Sequence, residues 1–567
     1  MDPKELKEEF DILKSERRTW DSLYQVLGKY ISLIKQNFET TQTPGEFLID
    51  DVYDSTGMFS AQNAASALLG MLWPGTAKQA IEIIPPKSLK MTTELAKFYE
   101  NMTTRAIAAM DDPRANLSMA LDEYMLDQMI FGTSGVGVER GTSSKLLFRP
   151  YGVKEMYIEE GKDGRVSRIF LCFEWRVNRV VAEYGIEKVS EKVREKFNKG
   201  KKTDKVKILV CIVPRNKPKA EMGVLSMPYA SYHMEYESKH ILKESGYEEL
   251  PIMVGRFRKL NYERYGRSPG SMALPDIREA NALREAVIAA TEKVLSMPKG
   301  VLNDGLFGGE TIDMSAGAIT VFNSTGNISG TPPIFDIGSP PQLPWAEERL
   351  KRLEDVIARH FSVDRLLDMN NEQEMTFGEA QIRNQIRNQS LSSLFSRQLS
   401  EVFTPLVSRS VSILFRMGEF GVIRGSEEEK EALARGEMDI EYIPDEVNAM
   451  LEKGQDVYKI VYKTQASNAS RAEEYLGIID TMTFVGNAMQ IDPNIADRLD
   501  LHAAVKNITN IRGIPVDILR QDDAVEEIRK QRDEKMQMQE GMMAASEAAS
   551  ATKDIAQAKK LASEAQQ

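Results

Sequence analysis

Residues Arg258 to Ala286 read RKLNYERYGRSPGSMALPDIREANALREA, and the chain changes character within them. Past Arg264 a polar, turn-rich segment gives way to a periodic one. Pro275 suits the first turn of a helix, because its fixed φ is already helical and its missing N–H has no intrahelical acceptor there. From that point Ile277, Ala280, Leu283, Val287, Ala290 and Val294 recur at three- and four-residue steps until Pro298, which predicts an amphipathic helix over 275–297. The opposite face carries Arg278, Glu279, Arg284, Glu285, Glu292 and Lys293.

Downstream, residues 298–343 are rich in Gly, Pro, Ser and Thr, with short apolar pieces VLND, AITVF and PPIFDI. This composition is too polar for a core domain and too patterned for a linker, so a small β-containing insertion is expected. A second amphipathic helix follows over 344–363, with Leu350, Leu353, Ile357 and Phe361 on one face. The acidic, amide-rich piece DRLLDMNNEQEM (364–375) separates it from a long helix over 376–417, in which Leu391, Leu394, Leu399, Val402 and Leu406 face one way and Pro405 predicts a kink. After a charged stretch near 427–437, DVYKIVYK (456–463) reads as a strand that returns to the β-rich module of the chain. Helices dominate from Ser470. The last 27 residues hold nine alanines and almost no large apolar side chain, so they read as an appendage.

Upstream, Leu6, Phe10, Leu13, Trp20, Tyr24, Leu27, Ile31 and Ile34 predict one or two amphipathic helices over 3–38, give or take one register slip. Further helices are expected over 58–72, with Ser55 or Thr56 as the cap, and over 92–110 and 116–131. At Gly132 the pattern switches to alternation between turn signals, giving a β-rich module over 132–263. Within it Gly161-Lys162-Asp163-Gly164 is a hairpin turn and Pro214 ends the strongest strand. The lysine-rich run from Lys199 to Lys207 reads as a solvated hairpin approach rather than a phosphate-binding patch.

At 567 residues and 63.9 kDa the chain has room for about four domains. Its 42% hydrophobic and 28% charged residues are ordinary globular composition. Lys and Arg number 73 against 85 Asp and Glu, a net −12 that gives no global attraction for phosphates. Two cysteines, Cys172 and Cys211, are too few for a disulfide framework and fit a reducing compartment. The charged N-terminus has no apolar targeting region, so the mature protein is expected to start where the sequence starts, and no apolar run is long enough to span a membrane.

Enzyme motifs fail on chemistry. GMLWPGTAK (70–78) lacks the Lys-Ser/Thr end of a phosphate loop, and Gly132, Gly135 and Gly137 precede a strand and not a helix, so they form no dinucleotide fingerprint. His233 and His240 lack a third ligand and read as ordinary, partly buried histidines. Ser134 lacks nucleophile-elbow spacing, and Asp364, Asp368, Glu372 and Glu374 lack the central glycine of a calcium loop. No cofactor or metal is therefore expected.

Tyr265, Gly266, Arg267, Ser268 and Pro269, followed by Leu274, Pro275, Asp276 and Ile277, are similar to the signature that opens the inner helix of the head-to-tail connector (portal) proteins of short-tailed, T7-like bacteriophages. ERRTWDSLYQVLGKYISL (16–33), TPPIFDIGS (331–339), MTFGEAQIRNQ (375–385) and LSEVFTPLVSRSVSILFRMG (399–418) agree in the same order. The resemblance runs to about residue 480 and leaves out the Ala-rich tail.

The resemblance implies an α+β, mainly helical portal fold, with wing, stem, clip and crown, assembled as a ring around a central channel, usually of twelve copies. Mapped on this chain, the wing is 1–270, with a helical region over 1–131 and the β-rich module over 132–263. The stem helices are 275–297 and 344–363, with the clip, 298–343, between them. The channel loop is 364–375, the long kinked wing helix 376–417, the wing return strand 418–469, the crown 470–540, and the tail or barrel 541–567. In the loop, Asp364, Asp368, Glu372 and Glu374 against Arg365 give a net −3 per copy, roughly 36 negative charges around twelve copies. Such a surface repels phosphates and lets DNA slide, while Asn370, Asn371 and Gln373 offer neutral hydrogen bonds. In the stem, Arg278, Arg284 and Lys293 read as partners for acidic residues on adjacent helices more than as phosphate contacts, and Glu285 shares the charged face. Implied partners are double-stranded DNA, the terminase, scaffolding protein, major capsid protein and tail adaptor or nozzle proteins, at a capsid vertex of a virion assembled in the host cytoplasm, with no membrane insertion. The competing reading is a soluble multidomain metal-dependent enzyme or scaffold protein using the acidic residues of 364–374.

Overall fold

The computed structural model describes residues 2–32, 38, 51–73, 81–86, 89, 92–215, 226–303, 313, 315–323, 334–337, 343–362, 396–422, 442–453, 457–462 and 477–486, with single positions between 508 and 555. Helix α1 (Pro3–Leu27) opens with Pro3 in its first turn and a capping box, in which Asp2 accepts from the Lys4 amide at 3.0 Å and Glu5 accepts from the Asp2 amide. It ends in a π turn, Gly28–Ser32, whose extra residue is the register slip expected from the spacing. Helix α2 (Thr56–Leu72) starts two residues before the expected Met58. Ser55 stands at its cap without a side-chain bond, and buried Asp54 takes that role by accepting from the Thr56 amide and hydroxyl. After β1 (Ile81–Ile84) come α3 (Thr93–Met110) and α4 (Leu117–Phe131), the latter entered through left-handed Asn116.

The β-rich module holds eight strands: β2 (Thr133–Arg140), β3 (Leu146–Gly152), β4 (Met156–Glu160), β5 (Val166–Arg176), β6 (Lys205–Pro214), β7 (Tyr229–Glu235), β8 (Ile241–Tyr247) and β9 (Ile252–Arg256). They form two antiparallel sheets, ordered β3-β2-β9 and β4-β5-β6-β7-β8. Register places Phe170 beside Cys211 and Cys211 beside Tyr232, while Cys172, Leu209 and Met234 form the next row on the same face. That face meets Leu6, Phe10 and Leu13, so the apolar stripe of α1 closes this core. Gly161 to Gly164 make the expected turn, with Gly164 at φ +74°.

Two short helices between β5 and β6 have no counterpart in the sequence reading: α5 (Val177–Tyr184) and α6 (Glu191–Asn198). Two turns are too few for periodicity to register, although Val177, Val180, Tyr184 and Val193 are buried. The lysine run therefore follows a helix and is not a hairpin approach. Its solvated character stands, with Lys199 on Glu195 at 2.8 Å and Lys205 and Lys207 both on Glu174.

Helix α7 (Pro269–Leu295) leads into a sheet of β10 (Lys299–Asn303), β11 (Ile319–Asn323) and β12 (Ile334–Asp336), ordered β11-β10-β12 with a parallel β10/β11 pair, as expected of a β-containing insertion. Helix α8 (Leu343–His360) follows, with Leu350, Leu353 and Ile357 buried. The kink expected at Pro405 is a π turn, Leu399–Phe403, just before α9 (Thr404–Arg416). Proline lacks an N–H and its ring collides with the carbonyl four residues back, so the turn widens and the Thr404 amide bonds to Leu399 instead. Past α10 (Asp445–Glu452), β13 (Lys459–Tyr462) pairs with β1 and not with the β-rich module, which corrects the expected return. Tyr462 donates to the Phe403 carbonyl at 2.7 Å and Tyr458 to the Ser408 carbonyl at 3.3 Å, fixing this segment along the π turn and α9, where buried Ile81 and Ile83 supply the pairing strand. Of the long helix expected over 376–417, residues 376–395 lie outside the described residues.

Contacts divide the chain into two units, 1–84 with 100–469 and 85–99 with 470–567. In the second unit residues 477–486 are helical, and most of the expected crown and tail lies outside the described residues.

His233 is half-buried, with Nδ1 2.7 Å from the Tyr184 hydroxyl, whereas His240 is exposed and bonds to the Lys188 carbonyl. Burial, aided by Lys243, pushes the His233 imidazole down from 6.5 to about 4. The fold thus favours the neutral ring. Its contribution is complete above pH 6.5 and is lost as pH falls from there towards 4. The thermal midpoint should fall across that window, and His233→Gln should show a flatter profile between pH 6.5 and 5, read by calorimetry at stepped pH.

Candidate functional site

The residues of the connector-like motif come together at the root of α7. That helix begins at Pro269, six residues before the expected Pro275, because Ser268 is its cap: its hydroxyl accepts from the Ser271 amide at 2.8 Å and donates to the Ile130 carbonyl at 2.7 Å. Pro269 takes the first-turn position, and Pro275 sits inside the helix on its exposed side.

Just before the cap, two backbones touch. A Cβ on Gly266 would stand 2.3 Å from the Gly132 carbonyl, and one on Gly132 would stand 2.4 Å from the Gly266 carbonyl. Gly132 also holds φ +80°, so glycine is required on both counts. The contact is fastened by the Phe257 amide on the Gly132 carbonyl (2.9 Å), the Gly266 amide on Thr133 Oγ1 (2.8 Å), and a reciprocal bridge between Arg258 and Arg267. Tyr265 is buried beneath it and accepts from the Ile158 amide at 3.4 Å, with Trp20 alongside. Burial pushes its phenol up, against the pull of nearby Arg17. Arg17 is itself buried, donates to the carbonyls of Val153, Lys154 and Met156, and lies over the Tyr157 ring at 3.6 Å. Arg267 is exposed, pairs with Glu263 and covers the Trp20 ring at 4.7 Å.

Further along α7, Gly270 lets the helix approach Ile31 and the Ile130 carbonyl, and Ile277 packs where Gly57 has no side chain. Asn281 accepts from the Tyr53 amide at 2.7 Å and donates to the Asp51 carbonyl. Asp276 meets His360 at 3.0 Å, Glu279 meets Arg349 at 2.6 Å, and Arg284 meets Glu354 at 2.9 Å and Asp54 at 3.4 Å. Arg284 therefore has the acidic partner expected of it on α8. Arg278, Glu285 and Lys293 are exposed and pair with no other described residue of the same chain, so the expected pairing of Arg278 and Lys293 is not found there. Leu274 is half-buried.

The apolar stripe is covered only at its start. Ala273, Ile277 and Ala280 are buried, Leu283, Val287 and Ala290 half-buried and Val294 36% exposed, while beside the stripe Ile288 is 42% and Leu295 81% exposed. Trp345 on α8 is 68% exposed, and Ile319 and Ile334 on the outer strands of the small sheet are 67% and 57% exposed.

The sequence reading missed a buried ionic cluster. Arg256, 1% exposed, donates to Glu401 from its amide (3.1 Å), Nε (3.4 Å) and Nη2 (2.7 Å), to Glu160 from Nη1, and to the Gly164 carbonyl. Lys259 also reaches Glu160, at 2.8 Å. These partners lie up to 145 residues apart, and the only local signal was an arginine closing the apolar strand PIMVGR. Among the described residues no group of three or more His, Cys, Asp or Glu could hold a metal ion. The loop residues Asp364, Arg365, Asp368, Asn370, Asn371, Glu372, Gln373 and Glu374 lie outside the described residues.

The family model described as bacteriophage head to tail connecting protein matches residues 3–519. The chain belongs to this family. The chain is 21% identical over 569 residues to the portal protein of Salmonella phage epsilon15, covering 96% of this chain and 94% of that one. It is 22% identical over 543 residues to the probable portal protein of Bordetella phage BPP-1, covering 93% and 90%. A chain of the virion of a native gene transfer agent particle overlaps 67% of the present chain and 89% of its own length at 11% identity, with a TM-score of 0.28, too loose to constrain the fold.

Replacing Gly266 by Ala should destabilise the protein by about 3 kcal/mol or more, since backbone on both sides must move. Gly70→Ala in α2, where a Cβ meets nothing within 4 Å, should be neutral or stabilising by about 0.5–1 kcal/mol. Urea unfolding of the two variants, side by side, checks the contrast.

Proposed function

We propose that the chain is the portal of a short-tailed phage, a closed ring at one capsid vertex through which double-stranded DNA enters and later leaves. The observation that carries this reading is the half-covered α7. In a chain of the head-to-tail connecting family, Ile288, Leu295 and Trp345, with Ile319 and Ile334 beyond them, are apolar residues that one chain leaves in water. A ring covers them by heterologous contacts, one face of each copy on a different face of the next.

On this reading α7 and α8 are the stem, with bounds 269–295 and 343–360, and the three-stranded sheet is the clip. The elements up to 268, with α9 and β13, are the wing, and residues 470–540 are the crown, followed by the Ala-rich tail. Arg278, Glu285 and Lys293 then remain available to neighbouring copies or to passing DNA. The loop 364–375 carries its net −3 into the channel, where repulsion keeps DNA sliding. A ring of about twelve copies would dock the terminase during packaging and tail adaptor or nozzle proteins afterwards, among scaffolding and major capsid proteins. No described helix is long and apolar enough to cross a membrane. The enzyme or scaffold reading is not favoured, since the matched family is one of head to tail connecting proteins.

Negative-stain images of the purified protein should contain rings with an axial hole, and monomers at every concentration would overturn the proposal. Ile288→Asp with Leu295→Asp should abolish rings while leaving the circular dichroism of the chain unchanged. Deleting Asp368 to Glu374 should leave rings intact and reduce packaged DNA at least tenfold; loss of assembly would instead make the loop structural.

A further inference from the structure

Arg256 stands between two helix ends. On one side lies the π turn before α9, from which Glu401 takes three of its donors. Gln398, one residue before that turn, is fully buried and accepts from the Tyr124 hydroxyl, which itself lies against Gly255; Gln128 donates to the Gly255 carbonyl at 2.6 Å. The π turn thus grips the last two residues of β9. On the other side lies the cap of α7. A Cβ on Gly266 would lie 3.0 Å from the Cβ of Arg256, Phe257 bonds to Gly132, and Arg258 exchanges bonds with Arg267, the residue before Ser268.

Pro405 fixes where Glu401 points, because it forces the wide turn and so adds one residue ahead of α9. Closing that turn to a regular helix would rotate Glu401 by about 100° and withdraw it from Arg256. The guanidinium would then be left buried with Glu160 and one carbonyl, an arrangement that a neighbouring backbone must relax to relieve.

We propose that Glu401 is a positioning residue that couples the π turn to α7: it holds Arg256, and the 256–258 segment in turn holds Gly266 and the Ser268 cap. A displacement of the π turn ahead of α9 is then felt in the first turn of α7. The inference stands on this geometry alone; within the portal reading it ties the long wing helix to the stem.

Glu401 and Ser268 share no hydrogen-bond partner, so their substitutions should act independently unless the coupling exists. Hydrogen exchange on the full chain reads it at the amides of Ser271 to Ala273, which depend on the cap. Glu401→Gln should speed exchange there at least tenfold and leave Leu209 to Ile212 in the five-stranded sheet unchanged, Glu401→Asp should restore most of the protection, and combining Glu401→Gln with Ser268→Ala should add little to the faster single variant. Pro405→Ala, which keeps every charge and serves if Glu401→Gln does not fold, should give the same signature. Unchanged exchange at 271–273, equal acceleration across the chain, or rate factors that simply multiply in the double variant would each overturn the coupling.

Discussion

The approach of Gly132 to Gly266 is the constraint on which the rest of this structure depends. Two carbonyls occupy the places where side chains would stand, so the end of α4, the start of β2 and the segment before α7 are locked at backbone distance. No side-chain rearrangement can loosen such a contact, since backbone meets backbone on both sides. Ser268 follows two residues later and converts that fixed point into a fixed helix direction, by bonding at once to α4 through Ile130 and to its own first turn.

The consequence is a long lever with a rigid base. Ile277 against Gly57 and Asn281 against the 51–54 backbone secure the first half of α7, and two ion pairs and the Asp276–His360 hydrogen bond tie it to α8. Those pairs are largely exposed, and each contributes at most about 1 kcal/mol, so they set direction more than stability. Beyond Asn281 the helix carries exposed apolar residues, Ile288, Val294 and Leu295. Solubility of a free monomer would suffer from them, and a closed assembly removes the penalty.

Much of this was legible in the sequence because it is local. The stepping of Ile277, Ala280 and Leu283 gave α7 its amphipathic character, the switch at Gly132 marked the β-rich module, and Pro405 marked the irregular turn. The helix start was misplaced because Pro275 is a stronger proline signal than Pro269 in a pattern read forward, whereas the cap that decides the matter bonds to Ile130, 138 residues away. The partner of β13 was misassigned for a similar reason: four residues, Ile81 to Ile84, leave too short an alternation to be seen as a strand. The cluster of Arg256, Glu160 and Glu401 was invisible because charge in a sequence reads as surface, and only the fold reveals that this arginine is buried. The motif residues proved to be the structural root of α7, while the acidic loop that the sequence reading placed in the channel lies outside the described residues.

The chain's net −12 acquires a meaning from this arrangement. On the proposed portal reading, a ring that held DNA by phosphate contacts would resist its passage, whereas an acidic conduit would permit it. The most direct test is a cryo-EM map of the assembled protein at side-chain resolution. The account predicts an axial channel in which Ile288 and Leu295 of each copy are covered by the next, with α7 leaving its base at Ser268 in every copy. A ring that leaves those residues facing solvent, or particles with no channel, would contradict it.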